Sequence, residues 1–444
     1  MPYAADIERG AHDMSKLASA DSMRSTWFGQ PKGLTVLFLT NMWEQFSYYG
    51  MRSLLVYYMT KQLLLGQQHA SFIYGAYTAF AYLTPVVGGA IADRWLGKRR
   101  AVIIGASIMA AGHFMMTFEV LFYPALATIA LGNGLFLPSL PSQINDLYRP
   151  EDPRRGWAYN IYYVGINIGG FLAPLICGTL GEVYGWHYGF GAAGIGMVAG
   201  LLIYVRGGRH LPPESPRVVA VKATGESSRD SRLWLTLLAV GLAATVFRGA
   251  YEQVGNTVAL WADSGVDRKA GAFLIPLTWF QSLNPLLVML MTPPLLAWWR
   301  RQASRGRVSS EPKRMAAGAV LVAIAYLTLA AVAVKAGPGG SAWVWLVLFF
   351  VVLTFGELFI LPTGLGLFAR LAPPNMGATA VAAWFCAIFS GSLFAGWVGT
   401  LWSVIGRGAF FTVLATLALI AAALLMLLDK PVRKLEARAS VPNP

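Results

Sequence analysis

Charge is what this chain has least of. Of its 444 residues only 13% are Asp, Glu, Lys or Arg, about half of the roughly 25% usual in soluble domains. Cysteine is nearly absent as well. Cys177 and Cys386 are the two present, both inside apolar runs, so no disulfide framework organises the fold and both read as small core residues. The five histidines, His12, His69, His113, His187 and His210, show no metal-ligand spacing. His113 stands alone and reads as a packed or interfacial histidine. There is no G-x-S-x-G elbow and no P-loop, so neither nucleophilic hydrolysis nor nucleotide-driven work is expected. The residues point to no enzyme, no cofactor and no metal. The first 32 residues are polar and mixed in charge, without an apolar core segment, so no cleaved signal peptide is expected.

Hydrophobic residues make up 56% of the chain. They fall in recurring runs of about twenty, the length that crosses a hydrocarbon core of about 30 Å. Twelve spans are expected, at 33–60, 69–92, 100–118, 121–143, 156–181, 184–205, 233–261, 271–299, 314–334, 342–368, 377–403 and 408–428. The fold class is therefore an all-α integral membrane protein. Pro85, Pro174, Pro285, Pro293, Pro294 and Pro362 fall inside spans and are expected to bend them.

The net charge of +14 would suggest nucleic acid in a soluble protein. Here the Lys and Arg residues lie in alternate loops. With both termini in the cytoplasm, the inside loops carry 20 of them, from Arg94 to Arg370, and the outside loops carry 5: Lys61, Arg268, Lys269, Lys335 and Arg407. That asymmetry follows the positive-inside rule and excludes nucleic acid as the reason for the charge. Membrane lipids are the expected surroundings, and a bacterial inner (plasma) membrane the expected place. The longest internal polar segment, 206–232, divides the spans six and six. The expected layout is a cytoplasmic tail (1–32), a six-helix bundle (33–205), a cytoplasmic linker (206–232), a second six-helix bundle (233–428) and a cytoplasmic tail (429–444), with a substrate path between the halves. Residues 88–100, GGAIADRWLGKRR, lie between spans 2 and 3 and resemble the loop motif of the major facilitator superfamily.

The few charges outside loops and tails draw attention. Residues 41–52 read NMWEQFSYYGMR. A carboxylate or guanidinium in an apolar helix costs roughly 2.5–3.5 kcal/mol on insertion scales, so each needs a partner or water. Asn41, Glu44, Gln45, Tyr48 and Arg52 recur at helical spacing and share one face. Arg248, Glu252 and Asn256 share another, and Asn160, Tyr163 and Asn167 a third. Gln281 and Asn284 precede Pro285, Glu357 lies in span 10, and Glu119 is placed late in span 3. Polar stripes on several helices are expected to converge on the bundle interior or a wet cavity. Arg248 and Glu252 could instead simply neutralise each other along one helix.

Residues 44–52, EQFSYYGMR, resemble the first-helix signature of the proton-dependent oligopeptide transporter (POT/PTR) family. GNGLFLP (132–138), IYYVGINIGG (161–170), Glu252-Gln253, WFQSLNP (279–285), GELFILPTGLGLFARLAP (356–373) and Trp384 match further family segments in order. The resemblance implies the major facilitator fold and a secondary transporter of short peptides or peptide-like solutes working by alternating access. It implies that Glu357 faces a peptide amine and Arg52 a peptide carboxylate. Tyr48, Tyr49, Tyr82, Asn167 and Asn284 would contact the backbone, and Arg52 would also pair with Glu252 as a gate. Family members from bacteria often carry two extra helices between the halves, for which the 206–232 linker is too short and polar.

Three positions depart from the family pattern. Its first-helix motif is E-x-x-E-R or E-x-x-E-K, and this chain has Asn41, Glu44 and Gln45. The fourth-helix segment usually has a Lys where Leu137 stands. Asn, Gln and Leu do not titrate, so the usual route of proton coupling is expected to be weakened or absent, with protons retained as a candidate co-substrate through Glu252 or Glu357. Arg248 stands where the family usually has an apolar or aromatic residue. The alternative reading is an uncoupled or exporting major-facilitator carrier of a non-peptide or modified-peptide solute. A non-transporting sensor on the same scaffold is the third. The expected oligomeric state is a monomer.

Overall fold

The computed structural model describes residues 29–148, 152–213, 231–307, 309–337, 339–371 and 376–439. Most of the expected N-terminal tail, the last five residues of the C-terminal tail, most of the linker, and Arg149, Arg217, Lys222 and Arg229 lie outside the described residues. Twelve principal helices run in order among the described residues. They are α1 (Lys32–Tyr57), α2 (Gln67–Ile91), α3 (Lys98–Met115), α4 (Phe122–Ser142), α5 (Arg154–Ala173), α6 (Trp186–Gly207), α7 (Ser231–Tyr251), α8 (Trp279–Ser304), α9 (Glu311–Lys335), α10 (Trp343–Glu357), α11 (Gly377–Gly399) and α12 (Arg407–Leu427). A short α13 (Asp429–Ala439) follows. Nine of the described spans are long and apolar enough to cross a membrane by length and composition alone. The other three have visible reasons to fall short: α1 carries the polar stretch 41–52, α3 opens on Lys98, Arg99 and Arg100, and α10 is interrupted.

Several spans are not single α-helices. A π turn, Tyr58–Gln62, extends α1, and two more continue α5 from Pro174 to Tyr184. A 3₁₀ turn, Glu252–Gly255, breaks α7, which resumes over Thr257–Ser264. After Glu357, α10 turns before Leu361–Leu371. Helix α8 starts at Trp279, later than position 271. The residues before it form β1 (Val266–Asp267), β2 (Lys269–Ala270) and β3 (Phe273–Leu274), where β2 and β3 pair as a hairpin and β1 lies parallel to β4 (Ser341–Ala342). Glu119 belongs to a short 3₁₀ turn between α3 and α4, where it accepts a hydrogen bond from Gln62 Nε2 at 2.7 Å. It is a loop residue, because α3 ends at Met115.

The helix contacts repeat with a shift of six. Helix α1 packs on α5 and α6, and α7 packs on α11 and α12 in the same way; the pairs α3–α4, α3–α6 and α2–α4 recur as α9–α10, α9–α12 and α8–α10. Between the halves, α2 packs on α11 and α5 on α8, which the same shift interchanges. Two copies of one six-helix plan thus meet across two related seams.

The halves are joined unevenly. At the end remote from the termini one continuous core mixes residues of both, such as Tyr57, Met59 and Tyr74 with Val258, Ala259 and Trp261. Lys61 Nζ meets Asp263 Oδ1 at 2.7 Å, Tyr57 Oη donates to the Ala259 carbonyl at 2.9 Å, and Ser71 Oγ donates to Asn256 Oδ1 at 2.9 Å. The Glu182 carboxylate accepts the backbone N–H groups of Leu277 and Thr278, each at 2.8 Å. At the end near the termini the apolar cores are separate. One, around Leu37, Phe136 and Tyr204, belongs to the first half; in the second half a small cluster around Val288 and Leu358 adjoins the part of the large core that reaches Leu371, Leu425 and Val432. Polar contacts described there stay within a half, as in Lys98–Asp146 and Arg370–Glu311. The mixed apolar core and the polar contacts that join the halves thus lie toward the remote end, and the cores at the terminal end stay within one half each.

Candidate functional site

Midway along the cleft, α1 and α7 bring three charges together. Arg52 Nη2 contacts Glu252 Oε2, and Arg248 Nη2 contacts Glu252 Oε1. The Glu252 side chain is 1% exposed, so its charge is matched by protein alone. The first contact crosses between the halves. The second lies along α7 at the i,i+4 spacing, so Arg248 pairs with Glu252 and not with Glu357. The break in α7 begins at Glu252 itself, at the point where the helix meets its partner across the cleft.

Tyrosines surround the triad. Arg52 Nε donates to Tyr74 Oη at 2.7 Å, and its guanidinium lies 5.5 Å from the Tyr74 ring centroid. Arg248 lies 4.9 Å from the Tyr82 ring and 5.5 Å from the Tyr251 ring, within cation–π range. Tyr48 stacks on Tyr77 at 6.4 Å and meets Tyr49 edge-on at 5.4 Å.

Glu357 forms a second acidic centre. It is half-buried at the end of α10, where the helix turns, and Asn284 Nδ2 donates to its Oε2 at 2.6 Å. Asn284 also donates to Thr354 Oγ1 at 3.0 Å. The Asn284 amide is neutral. Leu137, half-buried on α4, supplies no charge there.

The polar face of α1 divides. Its later part, with Tyr48 and Arg52, reaches the second half. Its earlier part stays within the first: Asn41 Nδ2 donates to the Tyr162 carbonyl at 3.4 Å, and Gln45 Nε2 donates to Glu44 Oε2 at 2.7 Å. Glu44 is 1% exposed, so a carboxylate in the helix interior rests on an amide. On α5, Asn167 Nδ2 donates to the Tyr163 carbonyl at 2.9 Å, while Asn160 and Tyr163 stay exposed. Gln281 Nε2 reaches the Ser53 carbonyl of the other half at 3.2 Å. Trp384 is buried against Phe368, with ring centroids 5.2 Å apart. His113 is fully buried on α3, as a packed residue would be.

Tyr74 and Tyr251 were not singled out from the sequence. With 18 tyrosines in the chain, neither stands out by type. A usable signal was spacing: Tyr74, Thr78 and Tyr82 recur every fourth residue of α2, and Tyr251 adjoins Glu252.

Known proteins fit this geometry. The family profile PTR2, described as the POT family, matches residues 99–223 and 214–413. The peptide transporter YePEPT of Yersinia enterocolitica is 32% identical, with 92% of this chain and 96% of that protein covered. The alignment runs over 491 positions, more than this chain holds, so the relative carries segments that this chain lacks. A di-/tripeptide transporter of Lactococcus lactis is 30% identical over 94% of this chain and 99% of its own length. Among solved structures, the peptide transporter POT in complex with sulfate superposes with a TM-score of 0.84 at 27% identity, covering 95% of this chain and 99% of that one. A mutant of POT bound to alafosfalin superposes with a TM-score of 0.85, also at 27% identity, with the same coverage. The fold is that of these transporters, twelve helices in two six-helix bundles, and their family comprises carriers and not enzymes. The chain is a multi-pass integral membrane protein, and it belongs to the POT family.

Proposed function

We propose that this protein carries short peptides or peptide-like solutes across a bacterial inner membrane by alternating access. Both termini are cytoplasmic, and the halves 33–205 and 233–428 rock about the central cleft. In that orientation the end where the cores stay separate faces the cytoplasm, and Arg52–Glu252 belongs to the closed outer gate. The observation that carries this reading is the pair of opposite charged centres on one cleft between the halves: Arg52 with Glu252, and Glu357 with Asn284. A zwitterion needs a cation for its carboxylate and an anion for its amine, and a guanidinium suits a carboxylate bidentately. Glu357 takes the amine and Arg52 the carboxylate. Tyr48, Tyr49, Tyr82, Asn167 and Asn284 meet the backbone, and Trp384 supports the wall. The protein acts as a monomer among membrane lipids. The relatives named as peptide transporters support the substrate class.

A thermal-shift screen with a panel of dipeptides tests this. A ligand at about one hundred times its Kd stabilises the folded state by about 2.7 kcal/mol. The wild type should shift with several dipeptides, and Arg52→Ala and Glu357→Gln should lose the shift. A panel without any effect on the wild type would overturn the assignment.

A second reading concerns energy. Glu44 rests on Gln45 and not on a cation, and Asn41 and Leu137 carry no charge. We infer that transport runs without proton symport through α1, as facilitated diffusion, exchange or export. Uptake into proteoliposomes should be insensitive to an imposed proton gradient and to ionophore. Gradient-driven accumulation would contradict this.

A further inference from the structure

Arg248 does more than a charge balance requires. Glu252 already holds Arg52 on Oε2, yet Arg248 shares the same carboxylate through Oε1. Two cations therefore contact one anion, and the Arg248 side chain is 4% exposed. A buried cation without its own counter-charge is costly. Its Nε is buried with no hydrogen-bond partner, and Glu252 Oε1 accepts no well-aligned hydrogen bond. The other nearby carboxylate, Glu357, is held by the neutral Asn284. The Tyr82 and Tyr251 rings fix the guanidinium in place. The neighbouring helix also makes room: a Cβ at Gly391 would lie 2.5 Å from the Arg248 Cβ. Neutralisation along α7 alone leaves one cation in excess and its Nε unused.

We propose that Arg248 and Arg52 form a paired-cation subsite that selects solutes with a second anionic group beyond the terminal carboxylate. The chemical class is an acidic dipeptide, whose side-chain carboxylate is the second anionic group. Arg52 takes one anionic group, the free edge of Arg248 takes the other, and Glu357 keeps the amine. Guanidinium pairs are suited to planar or tetrahedral oxyanions. The inference rests on the peptide reading and narrows it.

The test is inhibition of labelled dipeptide uptake in proteoliposomes by alanyl-alanine and by alanyl-glutamate, with the ratio of their inhibition constants as readout. The wild type should favour alanyl-glutamate. Arg248→Leu should reduce that preference about tenfold, equivalent to about 1.4 kcal/mol, and Arg248→Lys should retain part of it. A wild type that favours the neutral peptide overturns the proposal even if the leucine variant fails to fold. A ratio unchanged in both variants overturns it too. A wild type that binds neither peptide overturns the peptide reading and the subsite with it.

Discussion

Glu252 carries the most consequence per atom. It joins Arg52 of the first half to Arg248 of its own helix. Removing one partner of a buried pair costs about 3–5 kcal/mol when a charge is left uncompensated. The shared arrangement makes the three single losses unequal. Arg52→Ala leaves Glu252 paired with Arg248, and Arg248→Ala leaves it paired with Arg52. Glu252→Ala leaves two buried guanidiniums side by side. Thermal unfolding in detergent should rank Glu252→Ala as the most damaging, by about 3–5 kcal/mol, with each arginine variant milder. Equal losses would show that the second arginine does not share the carboxylate. Asn41, Gln45 and Leu137 invite the opposite experiment. The triple variant N41E/Q45R/L137K restores the charges of the family pattern. It should make uptake respond to an imposed proton gradient, and an unaltered response would place coupling elsewhere.

At the level of elements, the closed end depends on two helices that touch backbone to backbone. A Cβ at Gly75 of α2 would lie 2.3 Å from the Gly396 Cα of α11. Gly75→Val should prise the seam apart. Spin labels at Leu64 and Val404, both exposed in the loops of that end, would report it once the exposed Cys386 is replaced by serine. The wild type should show a short distance, and the variant a longer one with less transport. No change in distance would refute the contact. The spans themselves were legible from the sequence, because apolar length and alternate basic loops both follow from the bilayer. The break in α10 was legible too, since it falls just before Pro362, one of the prolines expected to bend a span. The break in α7 was not, because Glu252–Gly255 contains no proline. The start of α8 was set too early because AGAFLIP is apolar whether it forms a hairpin or a helix. In the site, Arg52, Glu252 and Glu357 were legible because charge is scarce in such helices. The division of α1 was not, since periodicity assigns Asn41, Glu44 and Arg52 to one face without saying which neighbour each meets.

The whole molecule is two copies of one six-helix plan joined at one end. The continuous core and the Lys61–Asp263, Tyr57–Ala259 and Glu182–Thr278 contacts hold that end shut. Exposed pairs such as Lys61–Asp263 contribute only about 0.2–1 kcal/mol each. In the proposed cycle this gate opens when Arg52 exchanges Glu252 for a substrate carboxylate. Lys61→Ala should therefore change the rate of opening more than the melting temperature, which stopped-flow fluorescence and thermal unfolding separate. The central claim is that one cleft presents the same site to each side in turn. Entrance counterflow measures this most directly. Proteoliposomes loaded with unlabelled dipeptide should transiently concentrate labelled dipeptide from outside with no ion gradient, and Arg52→Ala should abolish the overshoot. Labelled uptake that is indifferent to the internal load in the wild type would contradict alternating access at this site.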